Sequence, residues 1–572
     1  MRHHLASFLL LTAVACARTP APSPVTPPSS TGPYDVIIDS GRVVDGTGNP
    51  WFYGDVAIQG DRIARITPPG FLARASARRR IDARGLVVAP GFIDIQAQSG
   101  EALAGGDSRV VSMVTQGVTT MILGEGETPA PANAKVIAMF RLTDTAEIRL
   151  IGTFAGAHGF AAWLDAMARH QTSVNVGSFL GAATVRAYAK GEAQGPATPA
   201  ELDTMRAVVR RAMEDGAFGV ASALIYPPGS YASTDELVEE AKVMAPYGGV
   251  YITHMRSEGD RLLEAVDEAL TIGREGRVPV EIYHLKAAGV RNWPKAKLLV
   301  AKIDSARAAG QDVATDQYAY TAGANGFSSC IPPAAHADGK LLERLKDPST
   351  RAALAAEMMR ADVAWENLCQ SATPDGVEVV GFKVDSLKRY EGRRLSDIAR
   401  AMGKPWPEAI MDLTLAEDDR LGQLLFIASD SNVAMQIRQP WMKFGTDAEG
   451  VDPDSMKGQM THPRAFGNYP RILGRFVRDQ HVLTLEDAIR KMTWSVAERL
   501  SLQDRGMLHE GMYADVVVFD PKTIIDRATY EQPNQLSVGV REVLVNGVEV
   551  VRDGRHTGAK PGRIVRGEGW RR

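Results

Sequence analysis

The sequence predicts an α/β fold: a (β/α)8 TIM barrel, a small β-sandwich formed by the N- and C-terminal segments, and an insertion over the barrel mouth. Three observations predict it. Eight strand-like segments separated by helical patterns run through the middle of the chain. Hairpin patterns sit at both ends. One connection, residues 322–420, is longer than a link between neighbouring barrel strands needs.

The first element is a targeting segment, residues 1–16. Arg2, His3 and His4 precede an apolar run, 5–15, that is too short to cross a bilayer. Ala13, Val14 and Ala15 before Cys16 resemble a bacterial lipobox, with Ala13 where leucine is usual; the other reading is plain signal cleavage after Ala15. Residues 17–33, rich in Pro, Ser and Thr, read as a tether. The expected location is therefore outside the cytoplasm, in the periplasm, either free or held to a membrane by a lipid on Cys16. No other stretch is long and apolar enough to span a membrane.

Regular structure begins with alternation at 35–39 and 42–45, then a hairpin at 55–58 and 62–66 around Gly60-Asp61. At the far end, 514–519, 540–545 and 548–551 form strands around the turn pair Asn546-Gly547. Neither end can bury a sheet face alone, so segments 34–87 and 507–565 are expected to close one sandwich beside a barrel spanning 88–506. The barrel strands are expected at 86–95, 119–124, 174–180, 219–226, 250–255, 280–285, 312–318 and 424–429. Helical patterns such as 199–215, 234–245 and 261–273 lie between them. The inserted subdomain is expected at about 340–420.

Composition narrows the function. The 65 Lys+Arg against 68 Asp+Glu give a net charge of -3, without the basic excess of a nucleic-acid binder. Three cysteines cannot build a disulfide framework or a zinc ribbon, so Cys330 and Cys369 are expected as core or loop thiols without chemistry.

Chemistry in a barrel sits at the C-terminal ends of its strands. His254 ends the fifth and His284 the sixth, one βα unit apart, so both can face one metal. The competing reading is two unrelated core histidines. Asp430 closes the apolar run 426–430 at the expected eighth strand end, as a general base or, alternatively, as a helix cap. Glu125 and Glu127 follow the second strand among glycines; they are candidate ligands or solvated turn residues. Gln96 and Gln98 end the first strand, where glutamine would hold a metal poorly but could bond substrate or water.

These residues and their flanks resemble the N-acyl-D-amino-acid deacylases (D-aminoacylases) of the amidohydrolase superfamily. The anchors are Val88-Ala-Pro-Gly-Phe-Ile-Asp94, Gln116-Gly-Val-Thr-Thr120, Leu224-Ile-Tyr-Pro-Pro-Gly-Ser-Tyr231, Thr253-His-Met-Arg256, Asp316-Gln-Tyr-Ala-Tyr-Thr-Ala322, Ala428-Ser-Asp430 and His462-Pro-Arg464. The resemblance covers residues 34–563 and implies the same barrel beside a terminal β unit. It implies that His254 and His284 hold one tightly bound zinc, that Asp430 is the catalytic aspartate, and that Lys286, Tyr226, Tyr318 and Arg464 bind substrate, Lys286, Tyr226 and Arg464 through its carboxylate.

Two departures stand out. The superfamily's first-strand His-x-His is Gln96-Ala97-Gln98 here, which speaks against a second metal. The family's third ligand, a cysteine, is Gly126 here; Glu125, or less favourably Glu127, could replace it, and without either the two histidines alone would hold zinc weakly. The activity implied is hydrolysis of a linear amide in an N-acyl-D-amino acid or peptide-like small molecule. The alternatives are a cyclic amidase or dipeptidase of the same superfamily, or an exported binding protein on a degenerate scaffold.

Overall fold

The protein is described here from a computed structural model covering residues 33–457 and 459–571. The targeting segment and the lipobox-like Cys16 lie outside the described residues, as does nearly all of the tether. No helix among the described residues is long and apolar enough to cross a membrane.

Eight parallel strands follow one another in chain order: β1 Phe92–Asp94, β2 Val118–Leu123, β3 Asn175–Ser178, β4 Gly219–Ala223, β5 Val250–His254, β6 Val280–Ile282, β7 Val313–Gln317 and β8 Met442–Phe444. Strands β1 to β3 pair in that order, and β4 to β8 do likewise. Phe218 N–H bonds the Ser178 carbonyl across the β3–β4 seam at 3.1 Å. The ring closes where Asp447 N–H meets the Gln96 carbonyl at 2.7 Å. The strands are buried along their length and rich in Val and Ile, as parallel strands covered by helices must be.

The eighth strand corrects the sequence expectation. Residues 424–429 do not join the barrel. Gly422–Phe426 pairs antiparallel with Ala322–Gly326 and with Val377–Val380 in a separate four-stranded sheet. The true β8 is only three residues long and carries Lys443 at its centre, which breaks the apolar run. Lys443 is tolerated because its ammonium lies buried 3.0 Å from the Glu281 carboxylate inside the barrel. Asp430 consequently opens a helix, Asp430–Ile437, away from the strand ends.

The four-stranded sheet and the helices around it form a unit with its own apolar core, including Phe327, Leu354, Leu395, Ile410 and Leu425. Cys330 and Cys369 are bonded to each other within it, with Cα atoms 5.5 Å apart, so they are not free thiols. Each is distant from Cys16 in sequence, and a count of three hid a local pair. The two chain ends share one nine-stranded sheet, joined where Val87–Pro90 pairs antiparallel with Val516–Phe519. Val516 and Val518 pack into one apolar cluster and Val517 and Phe519 into the barrel-side cluster, the period-2 alternation of a strand buried on both faces.

Candidate active site

Side chains from seven strand ends converge on a cavity of about 360 Å3 at the C-terminal face of the ring. Its walls include Gln98, Glu125, His254, His284, Lys286, Tyr226, Tyr318, Asp447 and Arg464, with Asn325, Leu425 and Ile427 from the inserted unit.

Glu125 follows β2. Its Oε1 lies 3.3 Å from His254 Nδ1 and 3.2 Å from His284 Nε2. One donor atom from each of the three lies within 4.8 Å of the others. The neighbouring glycine explains why the ligand comes from position 125: Gly126 has φ +72°, and a Cβ there would sit 2.7 Å from the Ala223 Cβ. A side chain at 126 is excluded by backbone and space alike. His284 itself has φ +34°, an unfavourable value for a non-glycine residue. Asp316 on β7 holds it there, accepting the His284 N–H at 2.9 Å.

The donor set fits a divalent metal. Two imidazole nitrogens and a carboxylate oxygen turned toward one point repel unless a cation or a proton lies between them. Burial and Lys286 favour neutral His284, yet Glu258 and Glu125 outweigh them and push its pKa up to about 10. Burial would raise the Glu125 carboxyl, but hydrogen bonds from His254 and His284 hold it well below the usual range. The second nitrogen of His284, Nδ1, lies 2.9 Å from Glu258 Oε1, the outer carboxylate that fixes a ligand tautomer. The other ring nitrogen of His254, Nε2, is buried without a partner among the described residues.

Lys286 and Arg464 flank the Tyr318 ring, at 5.5 and 4.5 Å from its centroid. Lys286 Nζ lies 2.7 Å from Glu258 Oε1, and this buried charge outweighs desolvation to keep the amine protonated. Arg464 is buried, and its Nη1 lies 2.7 Å from Asp447 Oδ2. Its backbone N–H donates to His462 Nδ1 at 3.0 Å, and burial keeps that histidine neutral. Tyr226 accepts a bond from Asn325 Nδ2 at 3.1 Å, and burial raises its hydroxyl well above the usual value. It therefore keeps its proton and can donate it as a hydrogen bond.

Seven of the eight sequence-predicted site residues thus meet in one cavity. Asp430 does not: its side chain is 59% exposed and pairs with Arg475 at 3.1 Å. The carboxylate at the end of β8 is Asp447, with φ +50°, a conformation aspartate tolerates. Burial raises its pKa, against the pull of Arg464. Asp94 anchors its loop, accepting Thr446 N–H at 2.9 Å and Gln96 N–H at 3.1 Å. Sequence reading missed Asp447 and Glu258. The signals were present: Gly445-Thr446-Asp447 follows β8, and Glu258 lies four residues past His254.

An amidohydrolase family model matches residues 79–551. The D-aminoacylase of Alcaligenes xylosoxydans xylosoxydans is 33% identical over 539 residues, covering 94% of this chain and 98% of that enzyme. A solved D-aminoacylase, described as having a binuclear centre activated by one metal and attenuated by a second, superposes with TM-score 0.77 at 32% identity, over 93% of this chain and all of that one. The N-acyl-D-glutamate deacylase of Bordetella bronchiseptica, solved with zinc and a phosphonate mimic of the tetrahedral intermediate, gives TM-score 0.75 at 30% identity, over 94% of this chain and all of that one.

Proposed function

Since the chain belongs to the amidohydrolase family, and is similar to D-aminoacylases along nearly its whole described length, we propose that it is a metal-dependent hydrolase of N-acyl-D-amino acids. The carrying observation is the meeting of Glu125, His254 and His284 with Asp447 and the Lys286/Arg464 pair in one cavity. The cyclic-amide, dipeptide and binding-protein alternatives gain no support from these relatives.

Glu125, His254 and His284 would hold one divalent metal, zinc by the chemistry of the set, which polarises the acyl carbonyl and lowers the pKa of a water when bound. Asp447 takes the proton of the attacking water and returns it to the leaving amine nitrogen. The Tyr226 hydroxyl, already accepting from Asn325, donates to the developing oxyanion. Lys286 and Arg464 close on the substrate carboxylate from two sides of Tyr318. Asp447 and Glu258 preorganise these cations before substrate arrives, and Asp447 is released toward the reacting water as the carboxylate takes over its contact with Arg464.

A second cavity, about 650 Å3, adjoins the first at Gln98, Glu125 and Glu127. Leu123, Phe140, Leu142, Leu150, Ile151 and Phe154 line it, with no Lys or Arg among the described residues. With the carboxylate on Arg464, the acyl group points toward this side, so apolar acyl groups are favoured over anionic ones. The inserted unit forms the opposite wall and serves as a cap on the mouth. Export is supported by the Cys330–Cys369 bond, since disulfides persist in oxidising compartments.

The test is amine release from N-acyl-D- and N-acyl-L-amino acids by the zinc-loaded chain. Turnover of the D series supports the reading. A chain that binds zinc yet hydrolyses no N-acyl amino acid overturns it.

A further inference from the structure

Glutamine stands at two positions beside the cavity, Gln98 on its wall and Gln96 buried behind it, where it offers zinc only a weak carbonyl donor. Both nevertheless aim their carboxamide nitrogens at one atom. Gln96 Nε2 donates to Glu125 Oε2 at 2.5 Å, and Gln98 Nε2 donates to the same oxygen at 2.7 Å. Gln96 is 1% exposed and sits on the β1 end; its own backbone accepts Asp447 N–H at 2.7 Å. Gln98 also donates to Asp447 Oδ1 at 3.2 Å. The two amides thus saturate the outer oxygen of Glu125 and leave Oε1 facing His254 and His284.

We infer that Gln96 and Gln98 form a two-amide clamp that makes Glu125 a one-oxygen ligand for a single metal and bars a second metal from the cavity. The inference rests on the metal site proposed above. A glutamate on a glycine-flanked turn has three rotatable side-chain bonds to fix; two donors on one oxygen fix them and leave the charge unneutralised for the metal. The same N–H groups occupy the lone pairs that a second cation would need on Oε2. With both nitrogens held on Glu125 Oε2, the carboxamide oxygens, themselves weak zinc donors, are turned away from that atom. Among the described residues, Glu125, His254 and His284 form the one cluster of three donors close enough to hold a metal.

The experiment uses the full chain and zinc alone, read by metal content and by chelator competition. Wild type is expected to hold about one zinc. Gln98→Met, at a position open to the cavity, and Gln96→Met, of similar volume and buried behind the wall, each remove the donor while keeping bulk. Each is expected to weaken zinc by roughly 10- to 100-fold with an unchanged melting temperature of the metal-free protein. The double variant Gln96→His/Gln98→His places two imidazoles beside Glu125 Oε2 and Asp447 Oδ1, and is expected to take up about two zinc ions. Met variants that hold zinc as tightly as wild type would overturn the clamp while leaving the metal site standing. A double-histidine variant that still takes one zinc would overturn the exclusion of the second. A wild-type chain that holds no zinc would overturn the metal site and the clamp together.

Discussion

Asparagine at 447 and at 430 should give opposite results. Asp447 lines the reaction cavity with its side chain 13% exposed, 2.7 Å from Arg464, which is 5% exposed. Asp447→Asn keeps the shape but removes the base and leaves Arg464 buried beside a neutral amide. Loss of general acid–base catalysis should lower kcat by about 10²- to 10⁴-fold. The unpaired arginine should cost on the order of 3 kcal/mol of stability. Asp430→Asn breaks an ion pair whose partners are 59% and 26% exposed. It should cost at most about 1 kcal/mol and leave kcat unchanged. The assay is amine release at saturating N-acyl-D-amino acid, with zinc per chain measured on each variant so that lost metal is not mistaken for lost chemistry. A dead Asp430→Asn beside an active Asp447→Asn would refute the assignment of the eighth strand and, with it, the proton path.

Three further outcomes follow from separate parts of the molecule. His336 is buried in the inserted unit, and burial, followed by Arg141, depresses its pKa to about 4. The unfolded chain then binds the proton more readily, so its contribution to stability is complete above about pH 6.5 and is lost as pH falls toward 4. Urea titrations across that window should show a shallower acid loss for His336→Gln, and an identical slope would reject the account. Opening the Cys330–Cys369 bond frees a loop of sequence separation 39. Chain entropy alone makes this worth about 4 kcal/mol, so Cys330→Ala/Cys369→Ala should melt earlier, first in the inserted unit. Ala104→Phe projects a ring into the acyl-side cavity; it should lower kcat/KM for long N-acyl chains by roughly 10-fold and spare N-acetyl substrates. Equal losses on both would place the acyl group elsewhere.

What the sequence disclosed and what it hid follow from the range of the forces involved. The first seven barrel strands are legible because each is a short buried segment built around Val or Ile and set between helical patterns, a local property. The eighth is illegible because its central Lys443 is neutralised by Glu281, 162 residues away, whereas the more apolar Gly422–Phe426 spends its hydrophobicity on the inserted unit. Asp430 and Asp447 look alike in sequence: each lies just past a strand, and only the pairing partner tells which sheet that strand serves. His254 and His284 could be read because they end neighbouring strands one βα unit apart, and Lys286 and Arg464 because the short motifs around them resemble those of the deacylases. Glu125 was found by position and Glu258 was not, since its role exists only when His284 Nδ1 arrives 2.9 Å away.

The glutamines are the strongest case. At the end of β1 they look like ligands lost. In three dimensions they hold the carboxylate that stands beside Gly126, where no side chain fits. The glutamine pair at the end of β1, the carboxylate at 125 and the glycine packed against Ala223 therefore work as one arrangement. Gly126→Cys in the wild-type background should therefore clash with the Ala223 Cβ and lose zinc affinity, although it supplies a better ligand than the glutamate beside it; tighter zinc binding by that variant would refute the account.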